Sequence, residues 1–111
     1  MPLPSFVITA TEDGGFTLSH VNEAARGYFD RKEEDVIGQP LKSLISPVIM
    51  PHFMEAFTDV IRDGRPVTIK VSATLPTGLR LGGFVITPAA QHIHVMGIPA
   101  GEEANSLQQE R

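Results

Sequence analysis

The spacing of apolar residues changes at Asp63-Gly64 from that of a helix to that of a strand. This change indicates a fold that contains both helix and sheet. Before this dipeptide, apolar residues recur at the spacing of one helical face, at Met50, Phe53, Phe57, Val60 and Ile61. After it, apolar and polar residues alternate, as in a strand with one buried face, with the apolar residues at Val67, Ile69, Val71, Ala73 and Leu75. Glycine directly after a helical stripe is typical of a helix end. The sequence therefore predicts one long helix followed by a strand.

Further strands are predicted on both sides of this helix. Two runs, Phe6 to Ala10 and Phe16 to Val21, are separated by Asp13-Gly14-Gly15, which indicates a β-hairpin. Two more strands are predicted downstream, at residues 79–87 and 93–98. Two strands, a helical middle and three strands make an antiparallel sheet with a helical layer on one face, an α+β fold.

The composition restricts the function classes. A chain of 111 residues accommodates one domain, and the absence of cysteine excludes disulfides, thiolate catalysis and cysteine-ligated zinc. The net charge is −4 and the nine Lys and Arg residues are scattered, so nucleic-acid binding is not expected. No apolar stretch approaches the roughly 18 residues of a membrane span, and the expected location is cytoplasmic.

The order of several short motifs resembles the PAS family. The motifs are Asp13-Gly14-Gly15-Phe16, Asn22-Glu23-Ala24-Ala25, Tyr28-Phe29, the stretch from Glu33 to Pro40, and Gly64 before a strand. The resemblance implies a PAS fold with a five-stranded antiparallel sheet of order 2-1-5-4-3 and short helices on one face. It divides the chain into an N-terminal segment (1–4), a PAS domain (5–99) and a polar C-terminal tail (100–111).

The resemblance also implies a sensor or signalling module. Such a module binds a small apolar ligand or a protein partner and transmits a signal through the geometry of a homodimer, with its effector in trans or on a missing domain. Two segments depart from the family pattern: Pro76-Thr77-Gly78 stands where Asp-Gly is usual, and Gly97-Ile98-Pro99 replaces an Asp-Ile-Thr-like ending. The second departure weakens the expectation that the last strand continues into an output helix.

The cofactor is not identified by the sequence. Flavin is not expected, because relatives that use it need a cysteine or a tryptophan and the chain has neither. Haem with His52 as the axial ligand is an alternative, since His52 lies about where haem-binding relatives carry theirs. However, helical geometry turns His52 more than a right angle away from the stripe centred between Phe53 and Phe57.

No motif predicts a metal site or an active site. His92 and His94 are two residues apart on a strand and so share a face, but no acidic or cysteine partner is evident, and two sheet-face histidines are expected. The acidic stretch Glu33-Glu34-Asp35 predicts a solvated turn. The chain is not expected to be an enzyme; a small enzyme with a histidine and a carboxylate at a cavity is kept as an alternative.

The candidate ligand pocket lies between the long helix and the sheet. Its expected lining is Met50, Phe53, Met54 and Phe57 from the helix, with Val71, Leu81, Val85, Ile93 and Val95 from strands. The same residues would form an ordinary packed core if no cavity is left, which is the alternative of a ligand-free interaction scaffold.

Overall fold

The computed structural model describes residues 3–25, 36–74, 78 and 80–100. Its strands are β1 (Ser5–Ala10), β2 (Phe16–Val21), β3 (Val67–Ile69), β4 (Ala73–Thr74), β5 (Arg80–Ala89) and β6 (His92–Pro99). A 3₁₀ turn covers Leu41–Ser43, and the long helix α1 covers Met50–Asp63. The predictions for Tyr28-Phe29, residues 33–35, Leu75, Pro76-Thr77 and residues 101–111 lie outside the described residues.

The strands form one antiparallel sheet in the order β2-β1-β6-β5-β3, with β4 also paired to β5. β3 pairs with residues 84–86 of β5 and β4 pairs with residues 80–81, so both occupy the same side of β5. The sheet therefore has five strand positions in the predicted order, which confirms the predicted α+β architecture.

The strand predicted after Val67 is interrupted. Residues 70–72 separate β3 from β4, opposite a glycine of β5. A Cβ atom on Gly83 would lie 2.4 Å from the carbonyl oxygen of Ile69, so only glycine allows the two backbones to approach this closely. The alternation of apolar and polar residues predicted one continuous strand, because alternation alone gives no sign of the close contact between the backbones of Gly83 and Ile69.

A β-bulge in β5 changes which side chains face the helix. The register shifts between Leu81 and Gly83, and beyond the shift the buried residues are Phe84 and Ile86. Val85 is half-buried on the opposite face, contrary to the prediction. The physical reason is that one extra residue in a strand reverses the face of everything after it.

Helix α1 packs its narrow apolar face on the sheet. Phe53, Ala56, Phe57 and Val60 are buried, and Gly64 adopts φ 66° at the C-terminus, where its amide donates to the carbonyl of Val60 at 2.8 Å. The predicted helix and its end are thus confirmed. Ile61 is 59% exposed, so the apolar stripe is narrower than predicted.

A short helical start follows β2. Residues 23–25 are helical, and Oδ1 of Asn22 accepts a hydrogen bond from the amide of Ala25 at 2.8 Å. This is the predicted N-cap. No helix within the described ranges is long and apolar enough to cross a bilayer.

Candidate functional site

The space between α1 and the sheet is filled by an aromatic cluster. The ring of Phe53 lies 4.9 Å from that of Phe84 and 5.7 Å from that of Phe57, and Phe57 lies 4.8 Å from Phe16. Tilted and offset pairs at these separations are favourable beyond their area burial. Among the predicted pocket residues, this interior holds Phe53, Phe57, Leu81, Ile93 and Val95, each at most 5% exposed.

The other predicted pocket residues lie outside this interior. Met50, Met54 and Val71 are partly buried against the edge of the core. Val85 lies on the face of the sheet away from α1. The structure therefore places the predicted pocket residues in three environments: the buried interior, the edge of the core, and the opposite face of the sheet.

Met50 and Met54 line a surface cleft of about 400 Å³. Its remaining lining comes from the β1–β2 turn, from β2 and from the segment before α1: Thr11, Asp13, Gly14, Gly15, Phe16, Thr17, Pro40 and Lys42. The cleft thus has an apolar wall of methionine, phenylalanine and proline and a polar rim. Its volume lies within the range of small-molecule sites, roughly 300–1,000 Å³.

Backbone pairing across the edge of the sheet builds this cleft. The amide of Leu18 donates to the carbonyl of Gln39 at 3.1 Å, and the amide of Gly38 donates to the carbonyl of Leu18 at 2.7 Å. Thr17 and Pro40 form an isolated bridge next to them. These contacts hold the segment before α1 against β2 and bring Lys42 to the rim.

The β1–β2 turn at the rim is tied internally. The Thr11 hydroxyl donates to Oδ1 of Asp13, and the Gly15 amide donates to the same oxygen at 3.2 Å. These two hydrogen bonds, with a smaller contribution from the charge of Lys42, lower the pKa of the Asp13 carboxyl. Asp13 is therefore ionised at neutral pH and fixes the turn that forms one side of the cleft.

His52 lies in a different place from the aromatic cluster. Its side chain is exposed and lines a surface groove of about 320 Å³ between α1 and the segment from β3 to Val71, together with Glu55, Asp59 and Lys70. An axial ligand to a buried iron has to point into the interior, as Phe53 and Phe57 do here. The position of His52 thus follows the helical geometry that the sequence predicted.

The face of the sheet away from α1, which we call the outer face, carries three histidines. Val7 of β1 pairs with His20 on one side and with His94 on the other, and Thr9 pairs with His92. The Oγ1 of Thr9 lies 2.8 Å from Nδ1 of His92. Within the described residues, no group of three or more His, Asp or Glu side chains is placed to hold a metal ion.

Sequence reasoning found two of the residues around the cleft, Met50 and Met54. It missed Pro40 and Lys42, because their position depends on pairing with β2 across more than twenty residues. The sequence analysis identified Asp13-Gly14-Gly15-Phe16 as a motif but did not predict that these residues line the cleft. No local signal in the sequence predicts that these segments meet.

Comparison with solved structures finds domains with a similar fold. A domain of an HTR-like protein from Haloarcula marismortui matches with a TM-score of 0.64 at 14% identity, over 86% of this chain and 97% of that one. A LOV domain from the Erythrobacter litoralis EL346 blue-light activated histidine kinase matches with a TM-score of 0.64 at 16% identity, over 91% and 98%. An RNA-binding light-oxygen-voltage receptor matches with a TM-score of 0.65 at 19% identity, over 96% of this chain and 32% of that one.

The sequence itself matches the model of the PAS fold family over residues 2–98. The chain therefore belongs to the PAS fold family. Among curated proteins, none matches the sequence.

Proposed function

We propose that this domain is a PAS sensor module that binds a small, largely apolar ligand in the cleft lined by Met50 and Met54. The carrying observation is a cleft of about 400 Å³ whose apolar wall includes Met50 and Met54 of α1. Methionine side chains are flexible and polarisable, so this wall adapts to ligands of irregular shape. A histidine kinase and a light-oxygen-voltage receptor among the similar structures support a signalling role for the fold.

The cleft connects to the sheet through the aromatic cluster. Phe16 contributes to the cleft and contacts Phe57, Phe57 stacks on Phe53, and Phe53 contacts Phe84 of β5. A ligand that shifts Phe16 or α1 would repack these rings, since densely packed interiors transmit small displacements. We infer that ligand occupancy is passed to the sheet by this route.

The experiment is thermal unfolding of the protein with increasing dodecanoate, together with native mass spectrometry of freshly purified material. We expect a dose-dependent rise in Tm, because a ligand that binds only the folded state stabilises it by mass action. The variant Met50→Ser/Met54→Ser should lose this rise. The control Met96→Ser, on the outer face, should keep it.

A flat Tm for dodecanoate and a native mass spectrum without bound small molecule would contradict ligand binding and favour the ligand-free scaffold. A ligand response that persists in Met50→Ser/Met54→Ser would place the site elsewhere. A small enzyme would instead require turnover that depends on a histidine beside an acid.

The haem alternative has a direct spectroscopic test. The protein is purified from haem-replete cells and its absorption spectrum is recorded. Because His52 is exposed, we expect no Soret band. A Soret band that His52→Ala removes would make the protein a haem sensor and overturn the proposal of a colourless apolar ligand.

We further propose that the domain acts as a homodimer and passes its signal to a protein partner. Among the described residues, α1 packs on one face of the sheet, and the side chains on the other face are half-buried or exposed. A change in the sheet would then alter how two domains pack.

A further inference from the structure

We propose that the ligand of the cleft is an amphiphile with one apolar chain and one negative charge, of the class of fatty-acid carboxylates, and that Lys42 selects it by binding its charged end. The inference rests on the proposed function, because it concerns the same cleft lined by Met50 and Met54. It adds the charge of the ligand, its orientation and the residue that determines both.

The cleft combines an apolar wall with few charges. Among the described residues that line it, Lys42 is cationic, Asp13 is anionic and the others are uncharged. A ligand that fills such a cleft needs an apolar body and a small polar end that fixes its orientation. The charge of that polar end depends on which of the two charged side chains is available to bind it.

The carboxylate of Asp13 is already engaged by its own turn. Its Oδ1 accepts hydrogen bonds from the Thr11 hydroxyl and from the Gly15 amide. These two contacts are the largest causes of the lowered pKa of Asp13. Hydrogen bonds to a carboxylate compensate its charge, so the attraction of Asp13 for a cationic ligand is reduced.

The ammonium group of Lys42 is free in the part of the chain that the structure describes. The side chain is exposed and makes no hydrogen bond or ion pair with a described residue. Its charge acts on Asp13 only as the smallest of the influences on the pKa of that carboxyl. An ammonium group has three donors and no acceptor, so Lys42 is suited to a carboxylate ligand.

The backbone that carries Lys42 is anchored on both sides. Leu41 is fully buried, and the amide and hydroxyl of Ser43 donate to the carbonyl of Pro40 at 3.0 and 2.7 Å. Pro40 in turn forms a bridge with Thr17 of β2. A ligand that binds Lys42 therefore orders one side chain and no backbone, which keeps the entropic cost of binding small.

The start of α1 does not supply an alternative anion site. The Met50 amide donates to the carbonyl of Ser46 at 2.9 Å. The His52 amide donates to the carbonyl of Ile49 at 3.0 Å, and Pro51 has no amide hydrogen. Lys42 is thus left as the cationic group of the cleft.

One cation beside one carboxylate favours a single negative charge on the ligand. A carboxylate on Lys42 neutralises the ammonium group, whereas a second negative charge would face Asp13 without a partner. With its charged end at Lys42, the chain of the ligand extends along Met50 and Met54. The cleft therefore favours a monoanion over a dianion such as a phosphate ester.

The experiment is isothermal titration calorimetry of the whole chain at neutral pH with decanoate, 1-decanol and decylamine. The three compounds have chains of equal length and differ in the charge of one end, and each is kept below the concentration at which it aggregates. We expect the Kd of decanoate to be at least about fivefold lower than that of 1-decanol, since hydrogen bonds to charged groups are stronger than neutral ones. Decylamine should bind most weakly.

Three lysine variants test the role of Lys42. Lys42→Met keeps an unbranched side chain and removes the charge, so it should raise the Kd of decanoate about fivefold and leave that of 1-decanol unchanged. Lys42→Arg keeps the charge and should retain the preference for decanoate. Lys70→Met removes a lysine from the separate groove that contains His52 and should behave like wild type.

Asp13→Asn tests the neighbouring charge. The variant keeps an oxygen that accepts from Thr11 and Gly15 and removes the negative charge, so the turn is retained. We expect it to bind decanoate more tightly and decylamine more weakly than wild type does. Circular dichroism of each variant checks that the domain is folded.

The outcomes separate the inference from the proposed function. Equal Kd values for decanoate and 1-decanol, both raised in Met50→Ser/Met54→Ser, would support the proposed function and overturn the inference. A preference for decanoate that Lys42→Met leaves unchanged would overturn the role of Lys42. Tighter binding of decylamine, lost in Asp13→Asn, would make Asp13 the selecting residue and also overturn the inference. Absence of binding by all three compounds would contradict both the proposed function and the inference.

Discussion

At the scale of single residues, Asn22 joins three parts of the fold. Its Oδ1 accepts hydrogen bonds from the amides of Ser5 at 3.1 Å and Ala25 at 2.8 Å, and its Nδ2 donates to the carbonyl of Leu3 at 2.8 Å. One amide side chain thus connects the N-terminal segment, the start of β1 and the first helical turn. An amide supplies both donor and acceptor, which a carboxylate does not.

Replacement of Asn22 should separate these roles. Asn22→Ala removes the helix cap and the other two bonds, and we expect a loss of about 1–2 kcal/mol in the free energy of unfolding. Asn22→Asp keeps the acceptor and loses the bond to Leu3, so its loss should be smaller. Urea titration measures both, and equal stability of Asn22→Ala and wild type would show that the three bonds contribute nothing.

Gly83 is a second residue with a specific prediction. In Gly83→Ala the new methyl group meets the backbone of Ile69, which cannot rotate away, so we expect a loss of about 1–3 kcal/mol. Gly64→Ala has open space around its Cβ and serves as the comparison, with about 1 kcal/mol expected from its positive φ. Denaturant unfolding that ranks Gly64→Ala as the more damaging change would contradict the close approach of β3 and β5.

The Asp13 turn makes a small, pH-dependent contribution. A carboxyl whose pKa is lowered by folding stabilises the fold above its unfolded pKa, about 3.9, and loses that contribution as pH falls through the folded value. The Tm of Asp13→Ala should therefore lie slightly below that of wild type at neutral pH, and the difference should close in acid. Glu12→Ala removes a carboxylate from the same turn and keeps these hydrogen bonds. The Tm difference between Glu12→Ala and wild type should therefore not disappear in acid in this way. A Tm difference between Asp13→Ala and wild type that grows in acid would contradict the lowered pKa of Asp13.

At the scale of elements, α1 depends on a narrow buried face. Phe53 is fully buried between Phe57 and Phe84, whereas Ile61 on the same helix is 59% exposed. Phe53→Ala should destabilise the domain by about 3–5 kcal/mol, and Ile61→Ala should lie within about 0.5 kcal/mol of wild type. Urea unfolding tests both, with Phe53→Leu as the milder change. Similar losses for Phe53→Ala and Ile61→Ala would contradict the orientation of the helix.

Element types were predictable from local patterns, and their relative placement was only partly so. The helical stripe ending at Gly64 and the hairpin around Gly14 were predicted because each depends on neighbouring residues. The face of Val85 was mispredicted because the Gly82-Gly83 bulge resets the alternation, although paired glycines in a strand are themselves a bulge signal. The predicted lining of the cleft lacked Pro40, because Pro40 is brought to the cleft by its pairing with Thr17 of β2.

At the scale of the whole molecule, we expect the central strands to be the most stable part of the sheet. β1, β6 and β5 each have a strand on both sides, whereas β3 and β4 are pieces of three and two residues at the edge. Amide hydrogen exchange measured by mass spectrometry should be slowest in β1, β5 and β6 and faster in β3 and β4. Equal protection of β3 and β6 would mean that the domain opens only as a single unit.

The two edges of the sheet also bear on how the protein behaves when it is concentrated. Regular exposed edge strands recruit other chains by continuing the hydrogen-bond ladder, which leads to fibrils. Here the β3–β4 edge is broken at residues 70–72, and β2 is bulged at Ser19 and bonded through Leu18 to residues 38–39. Neither edge offers a long straight template, so we expect the concentrated domain to resist strand-by-strand polymerisation.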